Sequence, residues 1–227
     1  MKNILKIDAS VRTLDMPESN HRSLSRALSQ HFCDRLTASD NEIQFIHRDV
    51  GLMPPAFINQ DWIAAVFRPE QQRSEAQRAL LALSDQLIEE VTRADLILIS
   101  SPMYNYGMPA CLKAWFDQVV RINKTFDFDL QRGDFPLAPT LSGKTLVLLT
   151  SCGEFGFERG GIREGMNHLG PNIRTLSKYL GVEQFHEIRI EYQEFGDERH
   201  QRSIEHAYAS VDRLAVKLME EQPEALA

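Results

Sequence analysis

The chain has 227 residues, 43% hydrophobic and 25% charged, which supplies a full core and favours one domain spanning 1–227. A formal net charge of -7 argues against a general nucleic-acid surface, which needs a basic stripe. Three cysteines without a CxxC pair (Cys33, Cys111, Cys152) speak against a disulfide framework, and no apolar run approaches the roughly 18 residues of a membrane span, so the expectation is a cytoplasmic protein away from membranes.

Residues 3–8 (NILKID) read as a short strand, followed by polar residues 9–20 and a helix carrying Leu24, Leu28, Phe32 and Leu36 at steps of four. A second strand is expected at 42–47 (EIQFIH), before Pro54-Pro55, which cannot continue a ladder. Residues 57–69 hold Trp62, Ile63 and Phe67 without a clean period; they are expected to be an irregular excursion packed on its own domain, with a lid or dimer contact as the functional alternative. A helix is predicted over 74–93 with Leu80, Leu83, Leu87 and Val91 on its inner stripe. Next come a strand at 96–100, a loop at 101–107 and a helix bearing Leu112, Trp115, Phe116, Val119 and Val120. Residues 126–139 are a connection with room for a short hairpin. The run 144–150 (KTLVLLT) is apolar through its middle, as in a strand covered on both faces. The glycine-rich stretch 153–165 suits no regular element. A helix at 172–179 ended by Gly181, a strand at 184–190 and a helix over 197–221 burying Ile204, Tyr208, Val211, Ala215 and Leu218 complete the chain. Cys33 and Cys111 fall within helices and are expected to be buried.

Five strands alternating with five helical segments imply an α/β fold, a doubly wound parallel sheet covered on both faces. At this size the flavodoxin-like order 2-1-3-4-5 is the natural choice, with a ligand crevice at the carboxyl ends of strands 1, 3 and 4, where loops 9–20, 101–107 and 151–154 meet. In the first loop, Ser10 and the Ser19-Asn20-His21 stretch before the helix could offer donors to a phosphate, or Ser19 or Asn20 could simply cap the helix. The second loop, Pro102-Met103-Tyr104-Asn105-Tyr106, places an amide and two phenols on a proline-stiffened turn, which suits a flat, hydrogen-bonding heterocycle. It has no His, Cys or carboxylate at ligand spacing, so no metal is expected. The first loop lacks GxGxxG, which disfavours a Rossmann dinucleotide site. A phosphate at one loop and a flat ring against the others together describe flavin mononucleotide, FMN.

The sequence S-P-M-Y-N-Y at 101–106, followed by L-K-A-W-F-D at 112–117 and Thr125-Phe126, resembles the flavodoxin-like FMN-dependent NADH azoreductases and NAD(P)H quinone reductases, over residues 2 to about 181. The resemblance implies that Pro102, Met103, Tyr104, Asn105 and Tyr106 flank the isoalloxazine, that Ser10, Ser19, Asn20 and His21 hold the phosphate, and that Ser151, Cys152, Gly153 and Glu154 cover the pyrimidine side. His21 replaces the second serine of the family's Ser-x-Ser, and Ser151-Cys152-Gly153-Glu154 stands where S-R-G-G is frequent. It further implies a homodimer in which NADH or NADPH and then a quinone or azo acceptor use the same flavin face, a ping-pong hydride transfer. Asn105 is expected at the N5 and O4 edge, with Tyr106 and Phe126 as walls for the acceptor, and a catalytic role for Cys152 is not expected. The competing expectation is a flavodoxin-like electron carrier that does not itself oxidise NAD(P)H.

Overall fold

The computed structural model describes residues 2–15, 22–40 and 42–221. Five parallel strands form one sheet in the spatial order β2-β1-β3-β6-β7, with β1 Asn3–Asp8, β2 Gln44–Asp49, β3 Leu96–Pro102, β6 Lys144–Ser151 and β7 Val182–Ile190. Two further three-residue strands, β4 Phe126–Phe128 and β5 Leu137–Pro139, pair antiparallel as a hairpin within the 126–139 connection. Counting only the main sheet, the order is the expected 2-1-3-4-5.

The central strands are apolar because both faces are covered. Ile97, Ile99, Leu146 and Leu148 point into one core, with Trp115 and Phe116 from α4 (Ala110–Val119) and Leu87 and Val91 from α3 (Glu75–Arg93). Their neighbours Leu96, Leu98, Val147 and Leu149 point into the other, with Phe32 and Leu36 from α1 (Leu24–Ser39) and Val211 and Ala215 from α6 (Glu198–Glu220). This alternation gives each strand two buried sides, so a continuous apolar run is the pattern to expect. α5 (Gly170–Ser177) precedes Gly181, whose φ of 82° supplies the left-handed turn into β7. Among the described residues, no helix is long and apolar enough to cross a membrane.

Several boundaries differ from the sequence reading. Residues 57–69 are not irregular: Gln60–Phe67 form a helix, α2, whose first turn is capped by Asn59 accepting from the Trp62 N–H at 2.9 Å. Eight residues are too few to display a helical period, and the signal lay in the cap. In α3 the inner face is Leu81, Ser84, Leu87, Ile88 and Val91, whereas Leu80 is 41% exposed. The polar Ser84 hid this face; it is accommodated because its hydroxyl donates to the Gln118 carbonyl at 2.6 Å. The second strand starts two residues later than expected and continues to Asp49, α5 starts at Gly170, and Cys111 is only half-buried.

Candidate functional site

The carboxyl ends of β1, β3 and β6 lie side by side, with Asp8 opposite Ser100 and Pro102 opposite Ser151. The loops leaving these strands therefore converge, and a cleft opens between them, lined by Ser10, Arg12, Arg22, Ser23 and Leu24 at one end and by Pro102, Met103, Tyr104, Ser151, Cys152 and Gly153 at the other. Ser10 accepts the Arg12 N–H on its Oγ at 3.1 Å, which leaves its hydroxyl hydrogen available to a ligand. The N-cap of α1 is Ser23, accepting from the Arg26 N–H; Ser19, Asn20 and His21 lie outside the described residues.

The second loop is a two-residue hairpin. Tyr104 and Gly107 exchange both backbone hydrogen bonds at 3.0 Å, and the two residues between them have positive φ, 48° at Asn105 and 66° at Tyr106. This is the type I′ geometry, in which asparagine is at ease and tyrosine is strained by an amount of order 1–2 kcal/mol. Two tethers hold it: the Met103 N–H donates to the Ser151 carbonyl at 2.8 Å, and the His168 N–H donates to the Tyr106 carbonyl at 2.9 Å. The Glu154 carboxylate accepts from the Tyr106 hydroxyl, and with its charge raises the phenol's pKa; Arg163 in turn binds Glu154 at 2.9 Å. Asn105, Tyr106 and Glu154 thus sit on the two loops that leave β3 and β6, next to the cleft-lining residues Tyr104 and Gly153 and not among the lining themselves.

A fourth wall was not foreseen. Gln193 and Glu194, in the loop after β7, line the same cleft, held down by the Gln193 N–H on the Cys152 carbonyl (3.3 Å) and the Glu194 N–H on the Gly153 carbonyl (3.1 Å). Glu194 sits so close that a Cβ on Gly153 would lie 2.4 Å from its Cγ, so a side chain there would have to displace the glutamate from the wall. Behind it, Phe155 and Tyr192 stack at 4.4 Å with the Arg199 guanidinium 5.1 Å from the Tyr192 ring centre, fixing the loop. Residue type gave no signal for this wall; its place at the carboxyl edge of the fifth strand did.

One sequence-predicted residue, Phe126, stands away from the cleft, and Cys152 stands in it. Phe126 is in β4, against Tyr179 at 5.5 Å and beside Trp62 in a separate apolar cavity of about 520 Å³, so the fold does not bring it to the cleft of its own chain. Cys152 lines the cleft but is buried, and burial pushes its thiol up to about 12, which leaves it protonated and unreactive at neutral pH.

Beneath the Ser10 loop lies a network the sequence did not reveal. Asp8 is met by Lys6 at 3.1 Å, His47 at 2.7 Å and Ser100 at 2.5 Å, while Arg26 forks onto Asp49 with both distances 2.7 Å. Asp8, His47 and Asp49 have ligand atoms within 4.8 Å of one another. Their carboxylates are already engaged by Lys6, Arg26 and Ser100, however, so the set is a neutralised ion-pair network and not a metal centre.

A family model described as flavodoxin-like fold matches residues 2–214. A protein of Colwellia psychrerythraea named FMN-dependent NADH:quinone oxidoreductase 2 is 58% identical over 219 residues, covering 96% of this chain and 100% of its own. The chain belongs to this flavodoxin-like family of NADH:quinone oxidoreductases. A more distant member of the family, the FMN-dependent NAD(P)H:quinone oxidoreductase 1 of Pseudomonas aeruginosa, is 38% identical and covers 91% of this chain and 95% of its own. Among solved structures, an azoreductase from Bacillus anthracis superposes with a TM-score of 0.82 at 17% identity, covering 96% of this chain and 100% of its own, so the fold of the family extends well past recognisable sequence.

Proposed function

We propose that this protein is an FMN-dependent oxidoreductase that takes two electrons as hydride from NADH or NADPH and passes them to a quinone or an azo compound. The observation that carries this reading is the convergence at one sheet edge of the Ser10 loop, the start of α1, the Tyr104–Gly107 turn and Gly153, in a family whose relatives bear that name. The residues present fit the group. Ser10, Arg12, Arg22 and Ser23 are the hydroxyl and cationic donors a phosphate needs, and Met103 and Tyr104 offer flat, polarisable surface to a ring. Bound FMN supplies the hydride-accepting and hydride-donating centre, which no side chain here could replace.

The chain's own residues bind and orient. Asn105, on the turn at φ 48°, would offer its amide to the ring edge, and the Gly153 backbone would serve the pyrimidine side, with Glu194 packed against it. Pyridine nucleotide and acceptor use one exposed face in turn, a ping-pong order. The test is spectroscopic: the purified chain is expected to quench the fluorescence of added FMN, and anaerobic NADH alone to bleach the flavin band. No quenching removes the flavin reading, and bleaching only with a separate reductase present makes the protein a carrier.

The working unit is a homodimer. Ile63, Phe67, Phe128 and Leu137 surround the 520 Å³ cavity with their side chains open to solvent, and Phe135, 84% exposed, projects from the neighbouring hairpin connection. An aromatic surface of this kind is what a second copy covers. Sedimentation should give a dimer mass for the wild type, and Phe67→Glu should shift it toward the monomer. A monomeric wild type would end this part of the reading.

A further inference from the structure

Arg26 is the one guanidinium in the described first helix that is buried, and it does not line the cleft; it stands behind it. Three contacts fix it. Its fork holds Asp49 at 2.7 and 2.7 Å, its Nη1 approaches Asp8 at 3.5 Å, and two of its N–H groups, on Nη2 and Nε, close on the Ser10 carbonyl oxygen at 2.6 and 3.3 Å. Its own backbone N–H is the donor that Ser23 caps. One residue therefore joins the start of α1 to the turn leaving β1, the two segments that form the hydroxyl-rich end of the cleft.

The consequence follows from peptide planarity. In a trans peptide the carbonyl and the following N–H point in opposite directions, so a guanidinium that seizes the Ser10 oxygen from behind also decides which way the Val11 N–H faces. The same grip sets the Ser10 Cα and hence the Oγ that accepts from Arg12. The far side of the turn is closed as well, because the Gly51 N–H donates to the Asp8 carbonyl at 3.0 Å and a Cβ on Gly51 would lie 2.2 Å from the Ser10 oxygen. The Ser10 turn is thus clamped from two directions and has a single orientation to offer.

Resting on the FMN reading, we propose that Arg26 is a positioning residue for the phosphate: it never touches the ligand, and through the Ser10 carbonyl it holds the donors of the first loop against the start of α1 so that both meet one phosphate. Lysine cannot reproduce this, since a point charge lacks the fork that serves Asp49 and Ser10 together. Riboflavin, which has the ring and the ribityl chain without the phosphate, provides the internal control.

The experiment titrates FMN and riboflavin by fluorescence quenching into the full-length apoprotein, as wild type, Arg26→Lys and Asp49→Asn. Asp49→Asn keeps the guanidinium and loosens its anchor. Arg26→Lys should weaken FMN about tenfold or more while riboflavin changes less than about twofold, with Asp49→Asn moving the same ratio in the same direction. An equal loss for both ligands would make Arg26 a general support of the fold, and unchanged FMN affinity would remove it from the site; either outcome overturns the inference while leaving the FMN reading intact. A wild type that binds neither flavin overturns both.

Discussion

Replacing Asp8 by Asn is expected to cost about 3–5 kcal/mol of folding stability, the range for removing one partner of a buried ion pair. Asp8 is 2% exposed at the end of β1 and faces Lys6, Arg26, His47 and Ser100. Asparagine keeps the shape and loses the charge, which leaves Lys6 without its counter-ion and Arg26 with Asp49 alone. The effect has a pH signature whose sign follows from the carboxyl's environment. Burial by itself would raise the Asp8 pKa; the hydrogen bond from His47, the charge of Lys6 and the Ser100 hydroxyl outweigh it and hold the group at about 2, below its ordinary 3.8. A carboxyl depressed in the folded state stabilises the fold above its unfolded pKa, and that contribution fades as the pH falls through the folded value. The stability gap between wild type and Asp8→Asn, measured by urea unfolding, should therefore narrow by roughly 2 kcal/mol on going from about pH 5 to about pH 2. A gap that stays constant over this window would show that the charge at Asp8 is not what the network depends on.

The parts of the fold that could be read from sequence are those where burial is complete and one-sided chemistry suffices. β3 opens with four apolar residues and β6 carries four through its middle because each strand is covered on both faces, and α1 and α6 repeat their apolar residues at helical spacing because each buries a single stripe. Illegible elements share a different cause: their stability comes from a polar contact with a distant partner. α2 depends on the Asn59 cap and on Trp62 reaching Gln118 at 3.1 Å, and α3 turns a serine inward because Gln118 accepts from it. Arg26 looks like a solvated charge on α1, yet it lies on the buried face with Ser25 and Ser29, and its partners are 16 and 23 positions away. Of the candidate site, the P-M-Y-N-Y turn was recognisable by residue type, whereas Gln193 and Glu194 have no distinctive chemistry and enter the cleft only because the loop after β7 shares its edge. Phe126 shows the limit of the opposite approach. Its place in a motif pointed to the acceptor, and the fold sets it beside Tyr179, at the cavity that a second copy would cover.

Asn105 has two separable duties, and two substitutions divide them. It occupies the first central position of the turn closed by Tyr104 and Gly107, at φ 48°, where asparagine and glycine are favoured and alanine is strained by about 1 kcal/mol. Under the FMN reading its amide also meets the ring edge where electron density builds during hydride transfer, and a lost hydrogen bond of 1.5–3 kcal/mol there corresponds to roughly ten- to hundredfold in rate. Asn105→Ala should therefore lose both the amide and the ease of the turn, slowing flavin reduction by NADH by about that factor and lowering the melting temperature by a few degrees. Asn105→Gly restores the backbone freedom and still lacks the amide, so its stability should return close to wild type while reduction stays slow. FMN retention should fall much less than the rate in both variants, because the donors at the Ser10 end are untouched. Stopped-flow reduction beside thermal melts decides the matter. If Asn105→Gly recovers the wild-type rate, the residue serves the turn alone and Tyr104, Tyr106 or backbone N–H groups must hold the ring edge; if both variants are slow and only alanine is unstable, the amide acts on the transition state directly.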